Sequence, residues 1–158
     1  MKTAKEKAEE WGCSKSTVKN YCASGIIPPA EKTGPRGGWM IPDEWGKPPM
    51  SRHGLCYLLD TIVQLNSGVQ YGEIQFGYSD ETIKSGYGYL ISHAFMSSID
   101  INHLDKELGN ATVTPRGTAL IERENNERKD GTKFKVHGGL AANAGIVLAE
   151  FGGVVTND

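Results

Sequence analysis

Two short helical segments joined by a tight turn near the amino terminus restrict the fold more than any other feature of this sequence. Thr3 and Glu6 have the spacing of a capping box, which predicts a first helix over residues 4–11. Gly12 then predicts the end of that helix, because glycine adopts a positive φ without the steric cost of a Cβ. A second helix follows at once, so the start of the chain is expected to form a helix-turn-helix.

The second helix is predicted over residues 15–24, with one buried face and one exposed face. Ser14 can accept a hydrogen bond from the free N–H groups at its start, and Gly25 predicts its end. Helical spacing directs three residues inward: Val18, Tyr21 and Cys22. The same spacing leaves four polar residues on the outer face: Lys15, Ser16, Lys19 and Asn20. This arrangement is typical of motifs whose second helix enters the DNA major groove.

A β-hairpin and then a domain boundary are predicted after the helix pair. Residues 30–32 and 39–41 have the composition of short strands, and the segment between them carries turn-forming residues at nearly every position. Consecutive prolines beyond the hairpin favour an extended spacer. The predicted organisation is a first domain at residues 1–46, a linker at residues 47–53 and a second domain at residues 54–158.

The net charge of −2 is distributed unevenly between the two predicted domains. Residues 1–50 hold eight Lys or Arg against six Asp or Glu, whereas residues 51–158 hold nine against thirteen. The acidic balance of the second part argues against a strong phosphate-binding surface there. The slightly basic first part permits such a surface.

Several features of the first domain recur together in one known group of small domains. They are Ala8, Gly12, Ser14 and Val18 in the helix pair, Gly25-Ile26-Ile27-Pro28 after it, a wing that carries glycine and arginine, and the closing Trp39-Met40-Ile41-Pro42. With these features, residues 3–49 resemble the small winged-helix DNA-binding domain of the excisionase and MerR-like group. The resemblance implies that the helix at 15–24 lies in the major groove. It also implies that the wing at 33–38 approaches the minor groove or the phosphates.

The resemblance implies which residues contact double-stranded DNA: Lys15, Ser16, Thr17, Lys19, Asn20, Lys32 and Arg36. The cationic side chains are expected to contact phosphates, whereas the hydroxyl and amide groups are nearest to base edges. Asn20 suits a bidentate contact with adenine. Wings of this group often carry several basic residues, and this wing has Arg36 with Lys32 just before it. That difference lowers the expected affinity more than it changes the binding mode.

The second domain is predicted to begin with two amphipathic helices. Regular apolar spacing predicts one helix over residues 54–66, and Ser79 is the expected cap of the next. Residues 71–78 fit either a strand or an irregular loop. Four tyrosines in this glycine-rich region fit either core packing or a partner surface: Tyr71, Tyr78, Tyr87 and Tyr89.

A hairpin and a final helix are expected to follow. Residues 99–102 and 111–113 alternate like strands, and Thr114 with Pro115 opens a helix. The charged far half of that helix, residues 122–129, is expected to project into solvent or to pair with another chain. By the order of its elements alone, the second domain resembles a second winged helix.

The last part of the chain is predicted to form a C-terminal β-hairpin from residues 133–137 and 146–151. An alanine-rich helix over residues 140–149 is the alternative, because short apolar runs do not determine their own periodicity. The predicted fold class of the whole chain is α+β.

No residue pattern indicates an enzyme, a cofactor or a metal site. The four histidines are scattered singly, without a carboxylate at ligand spacing. The three cysteines fit buried free thiols in a reducing compartment, so a cytoplasmic location is expected. No apolar run approaches the ~20 residues that cross a bilayer, so no membrane contact is expected.

Two functional hypotheses follow. In the first, the chain is a sequence-specific DNA-binding protein, either a transcriptional regulator or an excisionase-like accessory factor of a mobile element such as a phage. Because so few basic groups bind weakly alone, its second domain is expected to form a homodimer that joins two half-sites. In the alternative, the second domain binds and inhibits a host nuclease or another defence protein, and the helix-turn-helix is autoregulatory. A purely structural dimerisation domain is a third interpretation, and no sequence feature supports it directly.

Overall fold

The computed structural model describes residues 1–34 and 37–127. Their architecture is α+β and mostly helical, with six α-helices and one three-stranded antiparallel sheet within these ranges. The chain divides into two compact units, Met1–Arg52 and His53–Asp158. In the part of the chain that the structure describes, no helix is both long enough and apolar enough to span a membrane.

The first unit contains both predicted helices with the predicted bounds. Strand β1, Lys2–Thr3, leads directly into helix α1, Ala4–Trp11, and a short turn connects α1 to helix α2, Lys15–Ser24. The hairpin strands are β2, Glu31–Lys32, and β3, Trp39–Ile41, so the predicted strands are correct to within one residue. Sequence analysis missed β1, because two residues are too few to show an alternating pattern.

The sheet brings the start of α1 beside the hairpin. Its strand order is β1-β3-β2, with both pairs antiparallel. Lys2 lies opposite Ile41 on one side of β3, and Lys32 lies opposite Trp39 on the other. Because β3 is central and β1 continues into α1, the first turn of α1 is fixed next to the hairpin.

The helix boundaries of the first unit are determined by local side-chain hydrogen bonds. The hydroxyl of Thr3 accepts a hydrogen bond from the Glu6 N–H at 3.1 Å, and the Glu6 carboxylate accepts one from the Thr3 N–H at 2.8 Å. Gly12 ends α1 with a φ of +69°. The Ser14 hydroxyl then accepts from the Thr17 N–H at 3.1 Å and begins α2. The capping box, the glycine turn and the serine cap are all confirmed.

The apolar core of the first unit lies between the two helices and β3. Its members are at most 8% exposed: Ala4, Ala8, Val18, Cys22, Ile26, Ile27, Ile41 and Trp45. The prediction that Val18 and Cys22 point inward is confirmed. Tyr21 is only half-buried and packs edge-on against Trp11, with ring centres 6.3 Å apart.

The same unit buries one ammonium group that no sequence pattern predicts. The side chain of Lys7 is 0% exposed, and its Nζ donates to the carbonyls of Asp43 at 2.7 Å and Trp45 at 2.8 Å. It also pairs with the Glu10 carboxylate at 3.2 Å and lies 5.2 Å from the centre of the Trp11 ring. Because a buried charge is tolerated only when its hydrogen bonds are made, these contacts fasten α1 to the segment after β3.

The second unit is built from helices whose positions were largely predicted. Helix α3, Arg52–Asn66, begins two residues before its predicted start, inside the predicted linker. Helix α4, Asp80–Ser92, is capped as expected by Ser79, whose hydroxyl accepts from the Thr82 N–H at 3.3 Å. Between these helices, Tyr71–Glu73 forms one turn of 3-10 helix, so the irregular alternative for residues 71–78 is correct.

The predicted strand at residues 99–102 is wrong. Ile101–His103 is a 3-10 helix that leads into helix α5, Leu104–Glu107. The reason is local, because the Asp100 carboxylate accepts a hydrogen bond from the Asn102 N–H at 2.9 Å and so favours a turn over an extended strand. An isolated antiparallel bridge between Met96 and Val113 replaces the expected hairpin. The order of elements that resembled a second winged helix therefore lacks its hairpin over these described residues.

The final described helix, α6, covers Pro115–Glu127 and begins as predicted. The Thr114 hydroxyl accepts from the Gly117 N–H at 3.2 Å and caps it. Its charged half was expected to project into solvent or to pair with another chain; projection into solvent is wrong for Glu124, which is 7% exposed, and for Asn125, which is 8% exposed, whereas pairing with another chain stays a prediction. The predicted C-terminal hairpin and the alternative helix lie outside the described residues.

Candidate nucleic-acid interface

The outer face of α2 is polar and exposed, as the sequence predicts. Lys15, Ser16, Lys19 and Asn20 are all exposed. Thr17 is half-buried, and its hydroxyl lies 2.9 Å from that of Ser14. The exposed face therefore presents two ammonium groups, one hydroxyl and one amide, whereas Thr17 takes part in the cap.

The hairpin ends in a tight glycine-containing tip. Thr33 donates from its N–H and from its hydroxyl to the Gly38 carbonyl, each at 3.1 Å, and the Gly37 N–H donates to the Gly34 carbonyl at 3.1 Å. Gly34 has a φ of +102°, and a Cβ at residue 37 would overlap Thr33. Both positions therefore require glycine. Arg36, the predicted wing contact, lies outside the described residues.

A groove of about 570 Å³ lies between the start of α1, the exposed side of α2 and the hairpin. Four lysines from three elements line it: Lys5, Lys15, Lys19 and Lys32. Two hydroxyl side chains and two larger apolar side chains complete the wall: Thr3, Thr33, Trp39 and Met40. The structure thus brings three of the predicted DNA contacts into one concave surface, which we call the lysine groove.

Positive charge in the lysine groove is not balanced locally. Its described lining contains no Asp or Glu, and over residues 1–34 and 37–127 no carboxylate forms an ion pair with any of its four lysines. The paired lysines of the unit lie elsewhere: Lys2 contacts Glu10 at 2.9 Å, and Lys7 contacts the same carboxylate. The groove therefore concentrates cationic groups that attract a polyanion.

The ion pairs outside the groove shift the ionisation of their members in the expected directions. Hydrogen bonds from Lys2 and Lys7 lower the pKa of the Glu10 carboxyl. The bond to Glu10 raises the pKa of Lys2. The Thr3 N–H lowers the pKa of Glu6 through the capping box. These carboxylates are therefore ionised at neutral pH and occupied by partners within the unit.

The sequence-based site did not include five members of the lysine groove: Thr3, Ala4, Lys5, Trp39 and Met40. Lys5 follows the cap of α1, and nothing in the sequence places that cap beside the hairpin. The pairing of β1 with β3 does so. A two-residue strand gives no periodic signal, so the contribution of α1 could be found only from the structure.

The described cysteines and histidines do not form a metal site. Cys13 is half-buried, Cys22 and Cys56 are buried, and all three are free thiols. Burial raises the pKa of Cys22 to about 11, so it is a neutral thiol at physiological pH. Among the described side chains, no group of three or more His, Cys, Asp or Glu could hold a metal ion.

The second unit carries an aromatic cluster that is only partly buried. Tyr57 lies edge-on to Phe76 and Tyr78, with ring centres 6.5 Å and 6.4 Å apart, and Tyr71 lies 5.7 Å from Phe76. The Tyr57 hydroxyl donates to the Gln75 carbonyl. Tyr78 is 40% exposed, which makes it one of the two large hydrophobic residues exposed in the described part of the chain.

The four tyrosines that sequence analysis grouped together separate into two pairs. Tyr71 and Tyr78 belong to the aromatic cluster at the surface. Tyr87 and Tyr89 are buried, and the Tyr87 hydroxyl donates to the Leu58 carbonyl at 3.0 Å. Burial raises the pKa of Tyr87, so its hydroxyl remains a donor at neutral pH. Core packing therefore describes Tyr87 and Tyr89, whereas Tyr71 is half-buried and Tyr78 is exposed.

Comparison of the chain with protein-family models gives no match, and comparisons with curated proteins and with solved structures give no significant match either. A function must therefore be argued from the geometry and charge of the site itself.

Proposed function

We propose that this chain is a sequence-specific double-stranded-DNA-binding protein in which α2 enters the major groove and the hairpin lies against neighbouring phosphates. One observation carries the proposal: Lys15 and Lys19, on the exposed polar face of α2, line the same groove as Lys32 of the hairpin. A recognition helix flanked by cationic groups can read base edges while the backbone contacts fix its position.

The side chains divide into two roles. Lys15, Lys19, Lys32 and Arg36 are assigned to phosphates, where they supply salt-dependent affinity. Ser16 and Asn20 are assigned to base edges, and the amide of Asn20 suits the donor and acceptor pattern of adenine. The half-buried Thr17 is assigned to holding the start of α2, since its hydroxyl and N–H both contact Ser14.

The resemblance to the excisionase and MerR-like group supports a regulator or a recombination accessory factor of a mobile element, acting in the cytoplasm. Few phosphate contacts are available in the first unit, so its affinity alone should be modest. A homodimer formed through the second unit would join two half-sites about one helical turn apart and raise the affinity by avidity.

Selection of bound sequences from random duplexes, with the full chain, tests this function. We expect one short half-site to be enriched, repeated at a preferred spacing, with affinity that falls steeply as salt increases. Asn20→Ala should bind with similar salt dependence but relax the sequence preference at one position. Absence of enrichment, together with absence of duplex binding at low salt, would contradict the proposal.

The aromatic cluster favours a second candidate function, the binding of a protein partner such as a host nuclease or defence protein. Exposed tyrosines supply large contact areas at low entropic cost. In that case Tyr78→Ser should abolish capture of the partner, whereas Lys15→Ala should leave it unchanged. Equal capture of the partner by both variants would count against this cluster as the contact surface.

A further inference from the structure

We propose that the lysine groove holds the sugar–phosphate backbone of one DNA strand and that Lys5 of α1 is an additional phosphate contact. The inference rests on the proposed function and extends it, because it assigns part of the binding surface to the first helix. It also assigns that contact to the backbone rather than to the bases.

Lysines from three separate elements converge on the groove. Lys5 comes from α1, Lys15 and Lys19 come from α2, and Lys32 comes from β2, yet all four line one concavity. Strand pairing fixes this arrangement, since β3 pairs with β1 on one side and with β2 on the other. Ammonium groups from three separate elements therefore line one surface rather than forming a single point charge.

Two acidic side chains on the same helix as Lys5 are bound by other groups. Glu6 follows it directly, but the Glu6 carboxylate is bound to the Thr3 N–H at 2.8 Å within the capping box. Glu10 on the same helix is engaged by Lys2 and Lys7. Glu6 and Glu10 thus have partners outside the groove, and Lys5 forms no ion pair with any described carboxylate, which leaves it available to an external anion.

The size and lining of the lysine groove indicate the chemistry of the molecule that it would bind. A concavity of about 570 Å³ is far larger than one phosphate group, and its wall combines ammonium groups with the apolar surfaces of Trp39 and Met40. A nucleic-acid backbone presents charged phosphates alternating with the apolar faces of sugars, so it matches both parts of this wall. A compact anion would use the lysines and leave the apolar side without contact.

The test measures binding of the full chain to its selected duplex across a range of salt concentrations. Lys5→Ala should lower the slope of log affinity against log salt by about 0.9, which corresponds to roughly eightfold weaker binding at 0.1 M salt. Lys5→Arg should restore most of the affinity, because it keeps the charge. Lys47→Ala, at an exposed lysine outside the groove, is the matched control and should bind like the parent.

Duplexes with a single neutral methylphosphonate identify the phosphate concerned. One such position should weaken the parent protein but leave Lys5→Ala unaffected, because the contact is already lost. If Lys5→Ala binds with the parent's affinity and slope while Lys19→Ala is weakened, the inference about Lys5 is wrong and the proposed function stands. If no duplex is bound by the parent, the proposed function itself fails. If free mononucleotide competes as well as duplex at equal nucleotide concentration, the groove is a site for a compact anion and the inference is overturned.

Discussion

The two units of this protein differ in where their charged side chains lie. In the first unit, Lys2 and Lys7 pair with the carboxylate of Glu10 outside the lysine groove, whose own lysines form no ion pair in the described residues. In the second unit, some described ion pairs join residues close in sequence, as in the contact of Arg123 with Glu127 at 3.4 Å, and another joins distant residues, His53 and Glu124 at 3.1 Å. The difference shows that net charge is a poor guide to binding, because the nearly balanced first unit can still present a strongly cationic surface.

The largest effect should come from removing two cations from the lysine groove. Lys15→Ala combined with Lys19→Ala is expected to weaken duplex binding roughly 60-fold at 0.1 M salt, because two phosphate contacts are lost. Fluorescence anisotropy with a labelled duplex measures this change. The control is Lys84→Ala, at an exposed lysine of α4 in the second unit, which should leave the affinity unchanged. An equal loss of affinity in Lys84→Ala would show that the effect is not specific to the lysines of the first unit.

A stability effect of the next size is expected in the second unit at Gly117. A Cβ at this position would overlap the Phe95 carbonyl and would lie 2.7 Å from a methyl group of Val113. Gly117→Ala should therefore destabilise the second unit by about 1–3 kcal/mol. Urea unfolding followed by circular dichroism measures the change. Gly109→Ala is a suitable control, because an added Cβ there meets no atom within 4 Å.

Loss of the first capping box should have a smaller effect, confined to the first unit. Thr3→Ala removes the side-chain acceptor for the Glu6 N–H and should cost about 1 kcal/mol. All three tryptophans lie in the first unit, so their fluorescence reports its unfolding separately from that of the second. Thr3→Ser keeps the acceptor and should retain most of the stability. A shift seen by circular dichroism but not by tryptophan fluorescence would contradict this assignment.

The smallest expected effect is a pH dependence that Glu6 and Glu10 give to the first unit. Both carboxyls have a pKa lowered from the ordinary value of 4.5 by hydrogen bonds in the folded state. Their contribution to stability is therefore complete above that value and declines as pH falls through the lower folded values. Glu10→Gln should reduce the decline in tryptophan-monitored stability between neutral pH and pH ~3. Glu9→Gln, on the same helix but outside these ion pairs, should leave the decline as it is in the parent.

The sequence predicted best those parts of the fold that depend on neighbouring residues. Thr3, Gly12 and Ser14 determine the ends of α1 and α2 through contacts only a few residues apart, so both helices were predicted with the observed bounds. The strand predicted at residues 99–102 failed, because one hydrogen bond from the Asn102 N–H to Asp100 outweighs an alternating pattern four residues long.

The predictions for the candidate site likewise succeeded where they depended on neighbouring residues and missed residues whose position depends on distant contacts. The exposed residues of α2 follow from helical periodicity, and the structure agrees with it. The place of Lys5 in the lysine groove depends on strand pairing between residues almost forty positions apart, Lys2 and Ile41. The buried Lys7 likewise depends on the distant carbonyls of Asp43 and Trp45, as helical patterning alone would leave a lysine in solvent.

Under the proposed function, the glycine requirements of the hairpin tip also limit how the affinity for a nucleic acid can change. Gly34 is held at a positive φ, and position 37 has no room for a side chain. A descendant chain under selection for tighter binding is therefore expected to keep glycine at both positions and to gain cations elsewhere on the first unit, while the proposed reading helix and its preference for particular bases stay the same.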